Sequence, residues 1–305
     1  MSSQILIGTR KSPLAQWQAQ YIRKLLSNMG YETKIVLIES SGDKDLLTPL
    51  YEIGIQGIFT KSLDNALINN QVDIAVHSLK DVPTRLAKGL ILAAIPKRAN
   101  ALDLLVLKND YDLKQDYTIA TSSLRRKAQW LHKYPNHSVV NIRGNVNLRL
   151  EKLENNQNWD AAIFAQIGLE RLKINPPKIE QLNWMLPAPA QGALGVFCRS
   201  DDKEMEVICE QLNDPNSNLE VSIERTILRA CLGGCTLPLG AFAKIENNLV
   251  SIVTNITSVD GKQTSKIEEC LVIDHPEKIG IKIAKKLLEN GGQEILDTIN
   301  NAKND

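Results

Sequence analysis

Basic side chains recur at the junctions between predicted strands and helices, where they could bind an anionic ligand. Arg10 and Ser12 follow the first predicted strand and open a helix, and Ser123, Arg125 and Arg126 open another helix in the same way. Further arginines at comparable junctions are Arg143, Arg149 and Arg171. Ligands bind at the carboxyl ends of strands, helix N-termini favour anions, and arginine can bind a carboxylate through two hydrogen bonds. A single such arginine is usually a solvated surface residue, but the repetition predicts a polyanionic ligand between two lobes.

Lys80 and Asp81 end a predicted buried strand, within the sequence VHSLKDVP that starts at Val76. An aspartate beside a lysine and several arginines stays ionised, and it could hold a cationic intermediate or pass a proton to a leaving amine. The alternative is an aspartate that only caps a turn. We interpret His77 as a packed histidine rather than an acid or base.

Cys235 follows two glycines in the sequence LGGCT that starts at Leu232. Glycines leave a thiol accessible on a turn, and an exposed thiolate near positive charge is a good nucleophile. The alternative is a small, buried core cysteine. No second pair of ligands at suitable spacing accompanies Cys231 and Cys235, so no metal site is predicted.

Strand and helix patterns alternate over the first 190 residues, which is typical of α/β sheets covered by helices on both faces. The pattern restarts near Ala101, after a seam at 96–100, and this predicts two lobes with mainly parallel sheets. A linker at 213–218 then leads to one helix, three strands and two further helices. This order predicts a small α+β domain. The strands are predicted near 4–9, 33–38, 72–76, 102–107, 118–120, 139–142, 161–164, 241–245, 249–257 and 266–273. The helices are predicted near 14–29, 61–68, 123–132, 146–153, 219–230, 277–288 and 293–299.

Length and composition are those of a soluble protein of two or three domains, since the chain has 305 residues, of which 43% are hydrophobic. The formal net charge is only +1, which argues against nucleic acid and membrane surfaces as partners. The five cysteines are odd in number and lack CxxC spacing, so reduced thiols in the cytoplasm are expected. We see no signal peptide and no apolar run long enough to span a membrane.

Two other functions are compatible with anion-binding loops on two lobes. A non-catalytic binding module would use the same arginines, but it would give no role to Cys235 or to the third domain. A transferase acting on a phosphate ligand would be expected to have a glycine-rich phosphate loop, and neither GxxxxGK[ST] nor GxGxxG is present.

Six segments of the sequence, taken together and in this order, resemble the signature blocks of the hydroxymethylbilane synthase (porphobilinogen deaminase) family. They are TRKSPLAQWQA from Thr9, DIAVHSLKDVP from Asp73, TSSLRR from Thr121, IRGNV from Ile142, PAPAQGALG from Pro187 and GGCTLPLGA from Gly233. The resemblance implies two periplasmic-binding-protein-like lobes and a C-terminal domain with a three-stranded sheet. Lobe one would comprise 1–97 and 195–213, lobe two 98–194, and the C-terminal domain 217–305.

The resemblance also implies an activity, a cofactor and roles for particular residues. The enzyme would join four porphobilinogen units head to tail and release the linear tetrapyrrole hydroxymethylbilane, acting as a monomer. Cys235 would carry a dipyrromethane cofactor through a thioether, and Asp81 would be the catalytic acid. Cofactor-binding residues would be Lys80, Asp81, Ser123, Arg125, Arg126 and Arg143. Substrate-binding residues would be Arg10, Ser12, Phe59, Arg149, Arg171 and Gln191.

The sequence departs from the family pattern at several positions near these residues. A lysine is expected at Gln56, an acidic residue at Ser62 and at Leu232, a small residue at Gln166, and a glycine at Ala190. Asp81, Cys235 and the main arginines are all present. The departures are therefore expected to affect how the loop before Phe59 contacts the substrate more than they affect the reaction.

Overall fold

The computed structural model describes residues 4–39, 60–108, 116–231 and 237–301. Its strands are β1 (Ile5–Arg10), β2 (Thr33–Ile38), β3 (Ile74–Ser78), β4 (Leu90–Ala94), β5 (Asp103–Leu107), β6 (Thr118–Ala120), β7 (Ser138–Val140), β8 (Ala161–Ala165), β9 (Ile179–Gln181), β10 (Leu194–Arg199), β11 (Leu239–Glu246), β12 (Leu249–Thr257) and β13 (Thr264–Val272). Its helices are α1 (Pro13–Asn28), α2 (Lys61–Ile68), α3 (Leu124–Lys133), α4 (Val146–Asn155), α5 (Gln166–Arg171), α6 (Lys203–Glu210), α7 (Pro215–Ala230), α8 (Pro276–Leu287) and α9 (Gln293–Asn301). A turn of 3-10 helix follows β3, and among the described residues no helix is long and apolar enough to cross a bilayer.

The first lobe is built on a five-stranded sheet in the order β2-β1-β3-β10-β4. β1 pairs in parallel with β2 and β3, whereas β10 pairs antiparallel with β3 and β4. On one face of the sheet, α1 buries Ile22 and Leu26 against Ile74 and Val196. Burial of such a side chain contributes roughly 1.5–3 kcal/mol. This packing fixes the carboxyl ends of β1 and β3, from which Arg10 and Asp81 follow.

The second lobe has a similar five-stranded sheet in the order β7-β6-β8-β5-β9. β6 pairs in parallel with β7 and β8, and β5 pairs antiparallel with β8 and β9. Trp130 of α3 is almost fully buried against Ile119 and Ile163. The amphipathic helix α3 is thereby held so that its N-terminal turn reaches the end of β6.

The C-terminal domain is a three-stranded antiparallel sheet, β11-β12-β13, with α7 and α8 packed against it. Its β12–β13 connection contains the sequence Asp260-Gly261, in which Gly261 has φ +77°. A Cβ at this glycine would lie 2.5 Å from the backbone nitrogen of His132 on α3, so the turn fits closely against the second lobe.

A buried ion pair joins the three parts of the molecule. Arg98, in the first crossing between the lobes, binds both carboxylate oxygens of Glu224 on α7, at 2.6 and 3.1 Å. Glu224 also accepts hydrogen bonds from the backbone nitrogens of Ala190, in the second crossing, and Ala243, in β11. Because neither charged group is exposed, removing one partner alone would leave an uncompensated buried charge.

The predicted architecture of two α/β lobes and a small C-terminal three-stranded domain is confirmed. Each lobe sheet is mainly parallel, as predicted, with one reversed strand, β10 in the first lobe and β5 in the second, that runs antiparallel to both of its neighbours. The strand predicted at 139–142 ends at Val140, since the backbone nitrogen of Ile142 binds the hydroxyl of Ser122 instead of a neighbouring strand. Strand periodicity did not indicate β4, β9 or β10, and β9 is only three residues long. Helix periodicity did not indicate α5 or α6.

Candidate functional site

The first lobe contributes two loops, which lie at the carboxyl ends of β1 and β3. At the end of β1, Arg10 leads into Ser12, whose side chain accepts a hydrogen bond from the backbone nitrogen of Ala15 at 3.4 Å. Ser12 is therefore the N-cap of α1, and Pro13 occupies the first turn. This local capping fixes where Arg10 leaves the sheet.

The turn after β3 carries Lys80 and Asp81. The backbone nitrogen of Leu79 donates to the carbonyl of Ala193 at 3.1 Å, and its side chain is completely buried. The buried side chains of Leu79 and Val82 flank Lys80 and Asp81, and the Asp81 side chain is exposed. Buried side chains therefore hold the turn in place, while the carboxylate of Asp81 is accessible.

The second lobe contributes Ser123, Arg125 and Arg126 from the start of α3. The Ser123 hydroxyl caps the helix by accepting from the backbone nitrogen of Arg126 at 3.4 Å. Both arginine side chains are buried and converge on Asp103, with Arg125 Nη2 2.8 Å from Oδ2 and Arg126 Nη2 2.9 Å from Oδ1. Ser122, in the same loop, accepts from the backbone nitrogen of Ile142 at 2.9 Å and thereby brings the segment before Arg143 alongside.

Asp103, the first residue of β5, is the functional residue that sequence reasoning missed. Burial alone would raise the pKa of Asp103, but the guanidinium groups of Arg125 and Arg126 outweigh burial and hold that pKa well below its usual range. The carboxylate is therefore ionised and orients both arginines. The available signal was a single acidic residue at the start of an otherwise apolar strand, Leu102 to Leu107.

Gln191 links the two lobes and does not stand free in the cleft. Its amide nitrogen donates to Asp103 Oδ1 at 2.7 Å and to the carbonyl of Ala101 at 2.6 Å. Its amide oxygen accepts from Lys80 Nζ at 3.2 Å. Because the side chain is fully buried, its geometry supports positioning of Lys80 and Asp103.

Burial disfavours the charged form of Lys80. Burial lowers the pKa of Lys80 to about 8, with Asp81 opposing the shift and Arg126 adding to it. A ligand carboxylate beside the ammonium group would favour the charged form again. The lysine is thus suited to an anionic ligand.

Arg149 and Arg171 are two further buried or partly buried arginines of the second lobe. The guanidinium of Arg149 lies 5.2 Å from the ring centre of Phe164, and that of Arg171 lies 5.2 Å from the ring centre of Trp17 in the first lobe. Burial lowers the pKa of each to about 10, with Arg126 adding to the shift at Arg149. Both remain cationic at neutral pH.

The unpaired donors of these arginines fit a polyanion. Among the described residues, seven buried side-chain nitrogen or oxygen atoms lack a hydrogen-bond partner. Four of the seven are arginine Nε atoms, in Arg125, Arg126, Arg149 and Arg171. A buried donor without a partner costs about 1–3 kcal/mol. Ligand carboxylates would satisfy these donors, and within the described ranges no cluster of acidic, histidine and cysteine side chains forms a metal site.

Several predicted positions differ from the family pattern or lie outside the described residues. Phe59, Cys235, Gln56 and Leu232 lie outside the described residues. Ala190, where a glycine was expected, has φ +63°, a left-handed conformation that glycine adopts without steric cost. Its backbone nitrogen binds Glu224 at 2.7 Å, which helps to hold this conformation.

The departure at Gln166 is accommodated locally, since its amide nitrogen binds Glu170 at 2.7 Å within α5. Ser62 lies in the first turn of α2 and is partly exposed. Arg143 precedes Gly144, which has φ +118°, a conformation that other residues rarely adopt, and a Cβ at this position would lie 2.7 Å from Cδ2 of Leu148. The IRGNV segment therefore requires glycine after Arg143.

Comparison with known families gives two matches that together span most of the chain. The family described as "Porphobilinogen deaminase, dipyromethane cofactor binding domain" matches residues 5–207. The family described as "Porphobilinogen deaminase, C-terminal domain" matches residues 218–289.

Curated relatives agree over nearly the full length. A porphobilinogen deaminase of Chlorobium phaeobacteroides is 40% identical over 310 residues, covering 98% of this chain and 99% of the relative. One from Chloroherpeton thalassium is 39% identical over 307 residues, covering 97% and 98%. Among solved structures, the methionine-binding protein MetQ covers 73% of this chain and 94% of its own, at 12% identity and a TM-score of 0.44.

Proposed function

This chain belongs to the porphobilinogen deaminase family of transferases, and on that premise we propose that it is a hydroxymethylbilane synthase. The reaction would join four porphobilinogen units head to tail, with loss of ammonia at each step, and release the linear tetrapyrrole by hydrolysis. The observation that carries the proposal is the group of four buried arginine Nε donors without partners, which the carboxylates of an acidic ligand could satisfy.

The proposed cofactor is a dipyrromethane attached to Cys235 through a thioether. When bound, it would supply the terminal pyrrole to which the first substrate unit is joined. Helix α7 ends at Ala230, just before the cysteine, and β11 begins at Leu239, just after it. Gly240 of β11 lies against Gln129 and Leu186 of the second lobe, which supports a tether that enters the cleft from this side.

Asp81 would act as the catalytic acid. Its carboxylate is exposed at the tip of an anchored turn, and it lies within electrostatic range of Lys80 and Arg149. The ionised carboxylate would accept hydrogen bonds from pyrrole N–H groups and stabilise positive charge in the reacting unit. Transient protonation at a carboxylate oxygen would allow it to pass the proton to the departing amine.

Different cationic side chains would bind different carboxylates of the ligand. Lys80, Ser123, Arg125, Arg126 and Arg143 would bind cofactor carboxylates. Arg10, Ser12, Arg149 and Arg171, together with Phe59, would receive the incoming substrate and the growing chain. Hydrogen bonds to charged groups contribute about 1.5–3 kcal/mol each, so several together could retain a chain of pyrroles between turnovers. We propose that Gln191 positions Lys80 for this contact, rather than binding the substrate itself.

We further propose the domain division 1–97 with 195–213, 98–194 and 217–305. The position of β10 between β3 and β4 supports the return of the chain to the first lobe. We also propose that the protein acts in the cytoplasm and as a monomer. The cytoplasmic location agrees with the four cysteines that form no disulfide among the described residues.

Incubation of the purified protein with porphobilinogen tests this function directly. We expect release of an ammonia for each porphobilinogen consumed, together with formation of a linear tetrapyrrole. Both should be followed over time by an ammonia assay and by mass spectrometry of the products. A two-lobed binding module would instead retain porphobilinogen and return it unchanged on denaturation, and that result would exclude the synthase.

A further inference from the structure

Arg225 of α7 binds the backbone of the turn that carries Asp81. Its Nη1 donates to the carbonyl of Leu79 at 3.2 Å and to that of Val82 at 3.0 Å. Its Nη2 donates to the carbonyl of Pro83 at 2.8 Å. One guanidinium from the C-terminal domain thus binds carbonyls on both sides of Asp81.

The same helix also packs beneath this turn. Val221, one helical turn before Arg225, is fully buried in a cluster that includes Leu79 and Val82. Side chains four residues apart lie on one face of a helix, so Val221 and Arg225 face the turn together. Further along, α7 ends at Ala230, five residues before Cys235 in the sequence.

We propose that Arg225 is a positioning residue that sets the place of the Asp81 carboxylate in the cleft. This role rests on the proposed function, because it concerns the geometry of the catalytic acid. The Asp81 side chain is exposed, so the position of its carboxylate depends on the backbone of its turn. Arg225 holds that backbone by donating hydrogen bonds to the carbonyls of the turn. It thereby connects the turn that carries Asp81 to the helix that leads to Cys235.

Loss of the guanidinium should loosen the turn without unfolding the protein. Arg225 lines a recess together with Thr84, Ser222 and Arg229. Water entering this recess can bind the carbonyls that the guanidinium leaves, and such bridged contacts are nearly as favourable as direct ones. Water does not fix the direction of the turn in the way a planar, multidentate donor does.

The test compares Arg225→Ala, Arg225→Lys and Arg229→Ala with the wild-type holoenzyme. Arg229 lies one turn further along α7, is exposed and pairs with Glu277 at 2.7 Å, so it is a matched control. For Arg225→Ala we expect full cofactor loading by intact mass, a nearly unchanged KM and a kcat lowered about 10- to 100-fold, as for a displaced catalytic group. Arg225→Lys should recover part of kcat, and Arg229→Ala should keep the wild-type value.

Several outcomes would overturn the role of Arg225. A wild-type kcat in loaded Arg225→Ala, even with a lowered melting temperature, would mean that the arginine only stabilises the fold. A fall in activity proportional to lost cofactor would place its effect on loading. If Arg225→Ala does not fold, a wild-type kcat in Arg225→Lys would serve as the contradiction. Failure of the wild type itself to consume porphobilinogen would overturn the proposed function, whereas the other results concern Arg225 alone.

Discussion

Replacing Asp81 by alanine should abolish most of the turnover of porphobilinogen while leaving the fold and the bound cofactor in place. The Asp81 side chain is exposed, so its truncation removes little packing. Positioned general acids contribute about 10²- to 10⁴-fold to a rate, and we expect a loss of kcat of that order. The turn itself should persist, because its anchors are the buried side chains of Leu79 and Val82 and the guanidinium of Arg225.

The measurement is kcat and intact mass on the same preparation of each variant. Asp201→Ala is a suitable control, because Asp201 is an exposed aspartate in a turn of the same lobe. It should behave as the wild type. Asp81→Glu keeps the carboxyl group but displaces it, and its kcat should fall between those of the wild type and the alanine variant. Near-normal product formation by Asp81→Ala would remove Asp81 from the catalytic role.

Replacing Asp103 by asparagine should destabilise the protein and lower the fraction that carries the cofactor. The carboxylate accepts from Arg125, Arg126 and Gln191, at distances of 2.7 to 2.9 Å, and is completely buried. Without its negative charge, two buried guanidinium groups lose their counter-ion, which typically costs about 3–5 kcal/mol. The arginines would also lose the carboxylate that orients their guanidinium groups.

Urea unfolding and intact mass measure the two effects of the Asp103 variant. Asp160→Ala provides a matched control in the same lobe, since the Asp160 side chain has one described hydrogen bond, which it accepts from the backbone nitrogen of Thr118 at 2.7 Å. The free energy of unfolding of the Asp160→Ala variant should be about 0.5–1.5 kcal/mol lower than that of the wild type. An Asp103→Asn variant as stable and as fully loaded as the wild type would show that Asp103 does not hold the arginine pair together.

The pH dependence of stability gives a second test of Asp103. Its pKa is lower in the folded state than in the unfolded state, so the carboxylate contributes stability that is fully present above the unfolded pKa. That contribution decreases as the pH falls below about 4, where the unfolded chain takes up the proton first. Wild-type protein should therefore lose more stability than Asp103→Asn in this acid range. Parallel losses in the two proteins would contradict the assignment.

Capping residues were predictable from the sequence because caps are local. Ser12 and Ser123 lie at the starts of the predicted helices, and in the structure each precedes its helix by one residue and accepts a backbone hydrogen bond from the first turn. The arginines that follow them could therefore be placed at strand-to-helix junctions without knowledge of the fold. The glycine after Arg143 was likewise informative, since its backbone conformation is a local requirement.

Contacts between distant segments were not predictable in the same way. Asp103 meets Arg125 across 22 positions of the chain, and Gln191 meets Asp103 across 88. Arg225 reaches Leu79 across 146 positions, and no periodicity along the chain encodes that contact. The sequence suggested which residue types surround an anion, whereas the pairing that orients them depends on how the lobes and the C-terminal domain pack together.

The most direct test of the proposed synthase is the intact mass of the purified protein beside its Cys235→Ser variant. We predict that the wild type exceeds its sequence mass by two linked pyrrole units and that the variant does not. Incubation with porphobilinogen should then add further pyrrole units to the wild type only. A wild-type mass equal to that of the bare chain, unchanged after incubation with porphobilinogen, would show that Cys235 carries no cofactor and would contradict the proposed mechanism.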